Sequence, residues 1–189
     1  MDKQGKLFVI SGPSGVGKGT LVNEILNRNP KIKLSVSVTT RLPRPNEVDG
    51  VNYHFFTKEK FQELVKNNEF IEWAQFADNY YGTYEKVVND ILTEGYDLIV
   101  EIDVQGALQI KTKRPDATLI FILPPSFEEL KSRLKGRCTE TEEVIEKRLS
   151  IVESEYEKRN YFDYQIVNDN LENSVLELEK ILTKENDNA

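Results

Sequence analysis

The sequence of 189 residues is poor in the residues that form disulfides and bind zinc. Its single cysteine, Cys138, excludes an internal disulfide and suits a reducing compartment. Together with the single histidine, His54, it supplies too few ligands for a Cys/His zinc site, which needs about four. The composition therefore argues against a disulfide-stabilised secreted protein and against a zinc protein of that type.

Long apolar runs are also missing. The longest, residues 117–125, is about half the length of a membrane-spanning helix, so we expect no membrane segment. The apolar run at 7–10 is too short for a signal peptide, and we expect a cytoplasmic protein. Acidic residues outnumber basic ones by 32 to 25, which disfavours binding to nucleic acid or anionic membranes through bulk charge. Any anionic ligand must be held by local groups.

Apolar periodicity predicts alternating strands and helices along most of the chain. Continuous apolar runs predict strands at 7–10, 97–102, 118–123 and 164–167. Helical spacing predicts helices at 20–29, 84–94, 104–113, 126–135, 142–159 and 171–183. This alternation predicts an α/β fold, a three-layer core with a parallel sheet between two layers of helices.

Residues 34–83 interrupt the alternation and are rich in aromatic side chains. We expect three strands and one helix there, at 34–38, 53–56, 69–76 and 58–67. We interpret this segment as a β-rich lobe inserted into the core, and the irregular residues 136–141 as a flap. The chain is then expected to form one domain over 5–184, divided into a core at 1–33, 84–125 and 160–189, the lobe at 34–83, and a lid region at 126–159.

The strongest local motif follows the first predicted strand and opens the first predicted helix, which is the context of a phosphate-binding P-loop. Its glycines let backbone N–H groups turn inward around phosphate oxygens, and the helix N-terminus adds its positive dipole. Lys18 supplies a charge for the β- and γ-phosphates of a nucleoside triphosphate. The residues predicted to bind the triphosphate are Gly12, Pro13, Ser14, Gly15, Val16, Gly17, Lys18, Gly19 and Thr20.

One position departs from the usual P-loop pattern. The residue after the lysine, normally a serine or threonine for the magnesium ion, is Gly19, so Thr20 is the nearest hydroxyl. The loop is strong support for a nucleoside triphosphate site but does not say which class of P-loop protein this is. A glycine-rich turn without a ligand is the alternative.

Two arginines three residues apart, Arg41 and Arg44, form a second candidate phosphate site. A strand would place them on opposite faces, so the turn at Pro43 is needed to bring both guanidinium groups to one phosphate. Hydroxyl groups of Tyr53 and Tyr81 can complete the site. Exposed loop arginines and core tyrosines are also common, so the residues alone leave both interpretations open.

These features together resemble the guanylate kinase family. The resemblance rests on the P-loop, on S-x-T-T-R-x-P-R followed by E-x-x-G-x-x-Y over residues 37–53, and on further segments at 68–74, 79–83, 101–106 and 137–143. It spans about residues 6–182. The family transfers the γ-phosphoryl group of ATP to GMP, giving ADP and GDP. The resemblance implies a P-loop NTPase fold, ATP and GMP as substrates, Mg²⁺ with the ATP, and GMP binding by the inserted lobe.

The resemblance also implies roles for individual residues. The carboxylate of Glu72 matches the N1–H and 2-amino donors of guanine, and Asp103 can share these donors. Adenine has an acceptor at N1, which the same carboxylate would repel. The implied GMP-binding set is Ser37, Arg41, Arg44, Tyr53, Glu72, Tyr81, Thr83 and Asp103. Glu101 ends a predicted strand, where ligands bind in open α/β sheets, and is expected to hold magnesium through water beside Thr20.

The predicted lid carries arginines that the resemblance places near ATP. Arg137 and Arg148 match arginines that close over the phosphates, and with Lys18 and Arg41 they form the predicted catalytic set. The remaining residues expected to bind ATP are Arg133, Asn168 and Asp169.

Two alternatives stay open at this point. A guanylate kinase-like module could bind protein without catalysis, although such modules typically lack an intact phosphate loop. A related P-loop kinase could act on another phosphorylated substrate, although Glu72, Asp103 and Ser37 favour guanine. The sequence does not decide between a monomer and a homodimer.

Overall fold

The structure, a computed structural model, describes residues 4–76, 78–126, 128–130 and 142–187, with the backbone alone at 76, 142–149 and 187. Its strands are β1 (Leu7–Ser11), β2 (Ile32–Leu34), β3 (Val38–Thr39), β4 (His54–Phe55), β5 (Phe70–Phe76), β6 (Asn79–Tyr84), β7 (Asp97–Glu101), β8 (Thr118–Leu123) and β9 (Tyr164–Val167). Its long helices are α1 (Lys18–Arg28), α2 (Lys58–Lys66), α3 (Glu85–Thr93), α4 (Val104–Lys113), α5 (Glu142–Glu157) and α6 (Leu171–Asp187). None of these described helices has both the length and the apolar character needed to cross a membrane.

The main sheet is parallel, with the strand order β2-β7-β1-β8-β9. Every residue of β1 and β8 is buried, as expected for central strands covered on both faces. Alternate residues of β1 point to opposite layers. Leu7 and Val9 pack in the layer that holds α3 and α4, whereas Phe8 and Ile10 pack with α1 and α6. The predicted three-layer α/β core is confirmed.

A second, four-stranded sheet with the order β4-β3-β6-β5 forms the inserted lobe. The pairs β3–β6 and β5–β6 are antiparallel and β3–β4 is parallel. The aromatic residues of this segment form its core. Phe61 of α2 is fully buried and stacks on Phe70 at 4.5 Å and on Tyr80 at 5.4 Å between ring centroids. Stacked aromatic rings thus bury a large area in a small unit.

One strand prediction in this region was wrong, and one strand was not predicted. The predicted strand at 34–38 is two strands in different sheets: β2 pairs with β7 in the main sheet, and β3 belongs to the lobe. The amide of Ser35 still donates to the carbonyl of Ile99 at 2.9 Å, and the chain then leaves the main sheet. The sequence analysis missed β6, because its Asn-Tyr-Tyr-Gly start lacks the alternation expected of a strand. The predicted helix at 126–135 is described only at 126 and 128–130, and the predicted flap at 136–141 lies outside the described residues.

Helix α4 attaches the lobe to the core. The side-chain amide of Gln109 accepts a hydrogen bond from the backbone N–H of Trp73 at 3.3 Å and donates to the Trp73 carbonyl at 3.0 Å. The ammonium of Lys113 donates to the carbonyl of Phe70 at 2.8 Å. Strand β5, at the edge of the lobe sheet, is therefore bonded at Phe70 and Trp73 to a helix of the core.

We predict that Phe61→Ala lowers the free energy of unfolding by about 3–5 kcal/mol, because it removes the ring at the centre of the aromatic stack. Urea unfolding followed by Trp73 fluorescence measures this change. Leu42→Ala is the matched control: Leu42 is 83% exposed, and its truncation should change stability by less than about 0.5 kcal/mol. Equal midpoints for the two variants would show that the stack does not hold the lobe together.

Candidate active site

A cavity of about 480 Å³ opens at the carboxyl end of the main sheet and is also lined by the lobe. The predicted site residues that line it are Gly12, Ser14, Lys18, Ser37, Tyr53, Glu72, Tyr81, Glu101 and Asp103. This edge is where open α/β sheets bind ligands. The fold therefore brings together residues from both predicted sites, which lie up to 91 positions apart in the chain.

The P-loop connects β1 to α1 through a backbone that requires glycine. Gly12 has φ +142°, and a Cβ there would lie 2.4 Å from the carbonyl oxygen of Ile122. Gly17 has φ +98°, and a Cβ there would lie 2.6 Å from Nδ2 of Asn168. That amide donates to the carbonyl of Val16 at 2.8 Å. Asn168, predicted to lie near adenine, thus also holds the loop; the adenine contact stays a prediction.

Lys18 is the first residue of α1, and its ammonium lies among oxygen atoms. It donates to the carbonyls of Gly12 at 2.6 Å and Pro13 at 3.1 Å. Burial lowers the pKa of Lys18, and the carboxylates of Glu101, Glu155 and Asp103 oppose that shift. The ammonium is therefore partly desolvated at the mouth of the loop, where an anionic phosphate would stabilise its charge.

Glu101 ends β7 next to the P-loop. Burial raises the pKa of its carboxyl group, and the ammonium of Lys18 opposes this. A Cβ on Gly19 would lie 3.7 Å from Oε2 of Glu101, so position 19 faces this carboxylate, while Thr20 is exposed and does not line the cavity. In the part of the chain that the structure describes, no cluster of three or more acidic, cysteine or histidine side chains could hold a metal ion.

Glu72 is a carboxylate buried at the junction of the two sheets, with a side chain only 4% exposed. A register shift between Phe70 and Glu72 marks a bulge in β5. Without the bulge, Phe70 and Glu72 would share one face of the strand; with it, Phe70 packs in the lobe core and Glu72 lines the cavity. The Thr83 hydroxyl donates to Oε1 of Glu72 at 2.7 Å. Burial raises the pKa of Glu72 to about 7 despite this hydrogen bond.

The first turn of α4 lies against this carboxylate. The side chain of Asp103 caps the helix, because its Oδ1 accepts from the N–H of Gly106 at 2.8 Å. Gly106 also lies close to Glu72: a Cβ there would be 2.8 Å from Oε2. One helical turn therefore fixes Asp103 and leaves room for Glu72. Thr83, predicted to donate to guanine O6, lies behind Glu72 and outside the cavity lining, and that contact stays a prediction.

The arginine site is built beside the tyrosines of the lobe. The guanidinium carbon of Arg41 lies 5.3 Å from the ring centroid of Tyr53 and 5.8 Å from that of Phe55. Tyr53 and Tyr81 pack edge to face, with centroids 6.3 Å apart, and both line the cavity. Arg44 is exposed in the following turn. The structure thus places Arg41 next to both predicted tyrosines and Arg44 at the rim of the lobe.

The lining residues contributed by α5 were not predicted from the sequence. Ile151, Val152 and Glu155 line the cavity, and burial raises the pKa of Glu155 to about 7 against the opposing charge of Lys18. Helical spacing could have indicated this position of Glu155. It follows Val152 by three positions and Ile151 by four, so it lies on the same face of the helix as these apolar residues.

The predicted lid residues are described only in part. Arg133 and Arg137 lie outside the described residues, and Arg148 falls within α5, where only the backbone is described. Asp169 is exposed directly after β9. The roles of these residues stay predictions.

A family model described as guanylate kinase matches residues 4–185. The chain belongs to the guanylate kinase family. It is 51% identical over 183 residues to a guanylate kinase of Clostridioides difficile (strain 630), covering 97% of this chain and 89% of that relative. It is 46% identical over 186 residues to a guanylate kinase of Halalkalibacterium halodurans, covering 98% and 91%.

Solved structures agree with this assignment. The fold matches the crystal structure of guanylate kinase from Anaplasma phagocytophilum with a TM-score of 0.79 and 34% identity, covering 97% of this chain and 87% of that one. A shikimate kinase from Bacteroides thetaiotaomicron matches with a TM-score of 0.50 at 15% identity, covering 94% and 98%, and supports the fold alone. The predicted guanylate kinase function is confirmed and is favoured over the interaction module and over a kinase for another substrate.

We predict that the guanylate kinase fold loses stability as the pH rises from about 4.5 to about 7 on account of Glu72, whose pKa is raised from 4.5 to about 7. The folded chain binds the Glu72 proton more tightly than the unfolded chain, so in this window folding takes up protons and the free energy of unfolding falls as pH rises. Glu72→Gln should reduce the total fall in unfolding free energy across this pH window by up to about 3 kcal/mol.

Urea unfolding at a series of pH values measures the slope, and Glu69→Gln, which changes an exposed carboxylate next to the same strand, is the control. Part of the slope should survive in Glu72→Gln, because the pKa of Glu155 is raised in the same direction. A slope identical to that of the parent would contradict the assignment to Glu72.

We also predict that Gly106→Ala weakens binding of the family substrate GMP by about 10- to 100-fold while the folded state keeps its stability. Alanine is favoured over glycine within helices by about 1 kcal/mol, but its Cβ must displace Oε2 of Glu72. Calorimetric titration with GMP, with ATP binding as the internal reference, measures the effect. Parent-like GMP affinity would show that Gly106 does not set the position of Glu72.

Proposed function

We propose that this chain transfers the γ-phosphoryl group of ATP to GMP in the cavity between the P-loop and the lobe. The observation that supports this site best is that Lys18 and Glu72 line the same cavity, which has a volume of about 480 Å³. Lys18 suits a triphosphate, and a buried carboxylate suits the N–H donors of guanine. In this proposal, ATP lies along the P-loop residues 12–20 and GMP lies against β3, β5 and β6.

Glu72 provides the selection for guanine in this proposal. Its carboxylate accepts from N1–H and the 2-amino group, with Asp103 sharing these donors and Ser37 donating to O6. Thr83 stabilises the ionised carboxylate through its hydroxyl, and Lys113 adds a favourable charge. Adenine has no donor at N1, so its binding would leave the buried carboxylate without a hydrogen-bond partner. A buried unpaired charge is unfavourable by roughly several kcal/mol, and this difference selects guanine.

Arg41, Arg44, Tyr53 and Tyr81 hold the GMP phosphate in line with the γ-phosphoryl group. An oxygen of the GMP phosphate forms the new bond to the γ-phosphorus while the bond to the bridging oxygen of ADP breaks. The attacking oxygen is already anionic, so no side chain needs to remove a proton. Lys18, together with Arg137 and Arg148 of the lid, stabilises the charge of the transferring group.

The residues present fit a magnesium ion that is bound mainly by ATP. Protein-bound Mg²⁺ usually keeps several waters and uses one or two carboxylates besides substrate phosphates. Glu101, which faces position 19 beside the P-loop, is placed to contact such waters, and Thr20 is the nearest hydroxyl in the sequence. When bound, the ion would neutralise phosphate charge; Glu101 and Thr20 would hold its hydration shell.

We extend the proposal to the organisation and location of the chain. The core at 1–33, 84–125 and 160–189 binds ATP, the lobe at 34–83 binds GMP, and the region 126–159 acts as the lid, with Arg133, Asn168 and Asp169 near the nucleotide. A single cysteine in 189 residues supports a cytoplasmic location. The substrates are small molecules, and the acidic net charge supports neither nucleic acid nor anionic membranes as partners.

We predict turnover with GMP and not with AMP, UMP or CMP in a coupled assay of ADP release. Glu72→Gln should lower kcat/KM for GMP by about 100-fold or more, because it removes the charge that matches guanine, and should leave the affinity for ATP unchanged. Glu69→Gln is the matched control and should behave as the parent does. No turnover with GMP would refute the proposal, and equal losses of GMP turnover and ATP binding would show that Glu72 only supports the fold.

A further inference from the structure

Glu47, a residue without a role in the proposed site, holds both arginines of the phosphate site. Its carboxylate forms a two-pronged pair with Arg41, from Nη1 to Oε2 at 2.8 Å and from Nη2 to Oε1 at 2.9 Å. Both side chains are only 17% exposed. The two parallel hydrogen bonds are the bidentate arrangement of a planar guanidinium and a carboxylate, which fixes the orientation of the arginine.

The same carboxylate also fixes the backbone at the second arginine. Oε2 of Glu47 accepts from the N–H of Arg44 at 2.7 Å, and the N–H of Glu47 donates to the carbonyl of Arg44 at 3.0 Å. Asn46, between them, has a positive φ of 74°, which closes the turn. One side chain therefore joins the guanidinium of Arg41 to the main chain of Arg44 across Pro43.

The hydrogen bonds of Arg41 define which side of the guanidinium can face a ligand. Nη1 donates to Glu47 and to the carbonyl of Leu42 at 2.8 Å, so both of its hydrogens have acceptors. Nη2 uses one hydrogen for Glu47. The remaining N–H groups, on Nε and Nη2, lie along one edge of the guanidinium. That edge can donate two parallel hydrogen bonds to a phosphate.

We propose that Glu47 is the positioning residue of the phosphate site: it holds Arg41 by one edge so that the Nε–Nη2 edge faces the GMP phosphate beside Tyr53 and Tyr81. This inference rests on the proposed function. Without the carboxylate, the long Arg41 side chain would have to be ordered by the phosphate itself, at the expense of affinity. The role of Glu47 concerns the phosphate of GMP and not the base.

The test compares Glu47→Gln with Glu63→Gln, an exposed carboxylate on α2 of the same lobe. For Glu47→Gln we expect KM for GMP to rise about 10- to 100-fold, the size of a lost charge-assisted hydrogen bond, with KM for ATP unchanged and kcat close to that of the parent. Guanosine, which has no phosphate, should compete with GMP with the same inhibition constant in the parent and in Glu47→Gln.

The outcomes separate the inference from the proposed function. A parent chain without GMP turnover refutes the proposed function and, with it, this inference. A parent-like KM for GMP in Glu47→Gln overturns the inference alone, and so does a guanosine inhibition constant that rises together with KM, because that would show a distorted lobe. Glu47→Asp keeps the charge on a shorter side chain and should raise KM less than Glu47→Gln; parent-like values in both variants again overturn the inference.

Discussion

The lobe and the core meet at one buried carboxylate, that of Glu72. A charge in the interior is unfavourable unless it is hydrogen-bonded, and three elements contribute orientation, a hydrogen bond and space for this one. The bulge in β5 turns Glu72 toward the cavity, Thr83 of β6 donates to it, and Gly106 of α4 leaves space for it. The lobe and the core therefore meet where the selection for guanine is proposed to occur, and α4 serves both.

Carboxylate groups lie close to the basic side chains of the site. Lys18 lies near the carboxylates of Glu101, Asp103 and Glu155, and Arg41 is paired with Glu47. The carbonyls of Gly12 and Pro13 hold the Lys18 ammonium, and Glu47 holds Arg41, before any nucleotide binds, which lowers the entropic cost of ordering long side chains. An acidic chain with a net charge of −7 can thus hold anionic substrates, because orientation of a few cations matters more than their number.

Features encoded within a short stretch of sequence were predictable. The P-loop, the apolar runs of β1, β7, β8 and β9, and helices α1 to α6 could be predicted because the residues that specify them lie within a few positions of each other. The division of 32–39 between β2 and β3 could not be predicted, because strand propensity does not say which sheet a strand joins. The direction of Glu72 depends on a bulge, and the inward position of Glu155 depends on how α5 packs. The contact of Glu47 with Arg41 spans only six positions, but it needs the turn that the structure shows.

The bond between Gln109 and the backbone of Trp73 has a consequence for association between chains. Strand β5 is the outer strand of the lobe sheet, and an outer strand offers unpaired N–H and C=O groups to any other extended segment. Here the amide of Gln109 takes up the donor and the acceptor of Trp73, as a neighbouring strand would, and Lys113 takes the carbonyl of Phe70. The helix thus blocks strand addition at this edge, so the lobe is protected there against edge-to-edge aggregation.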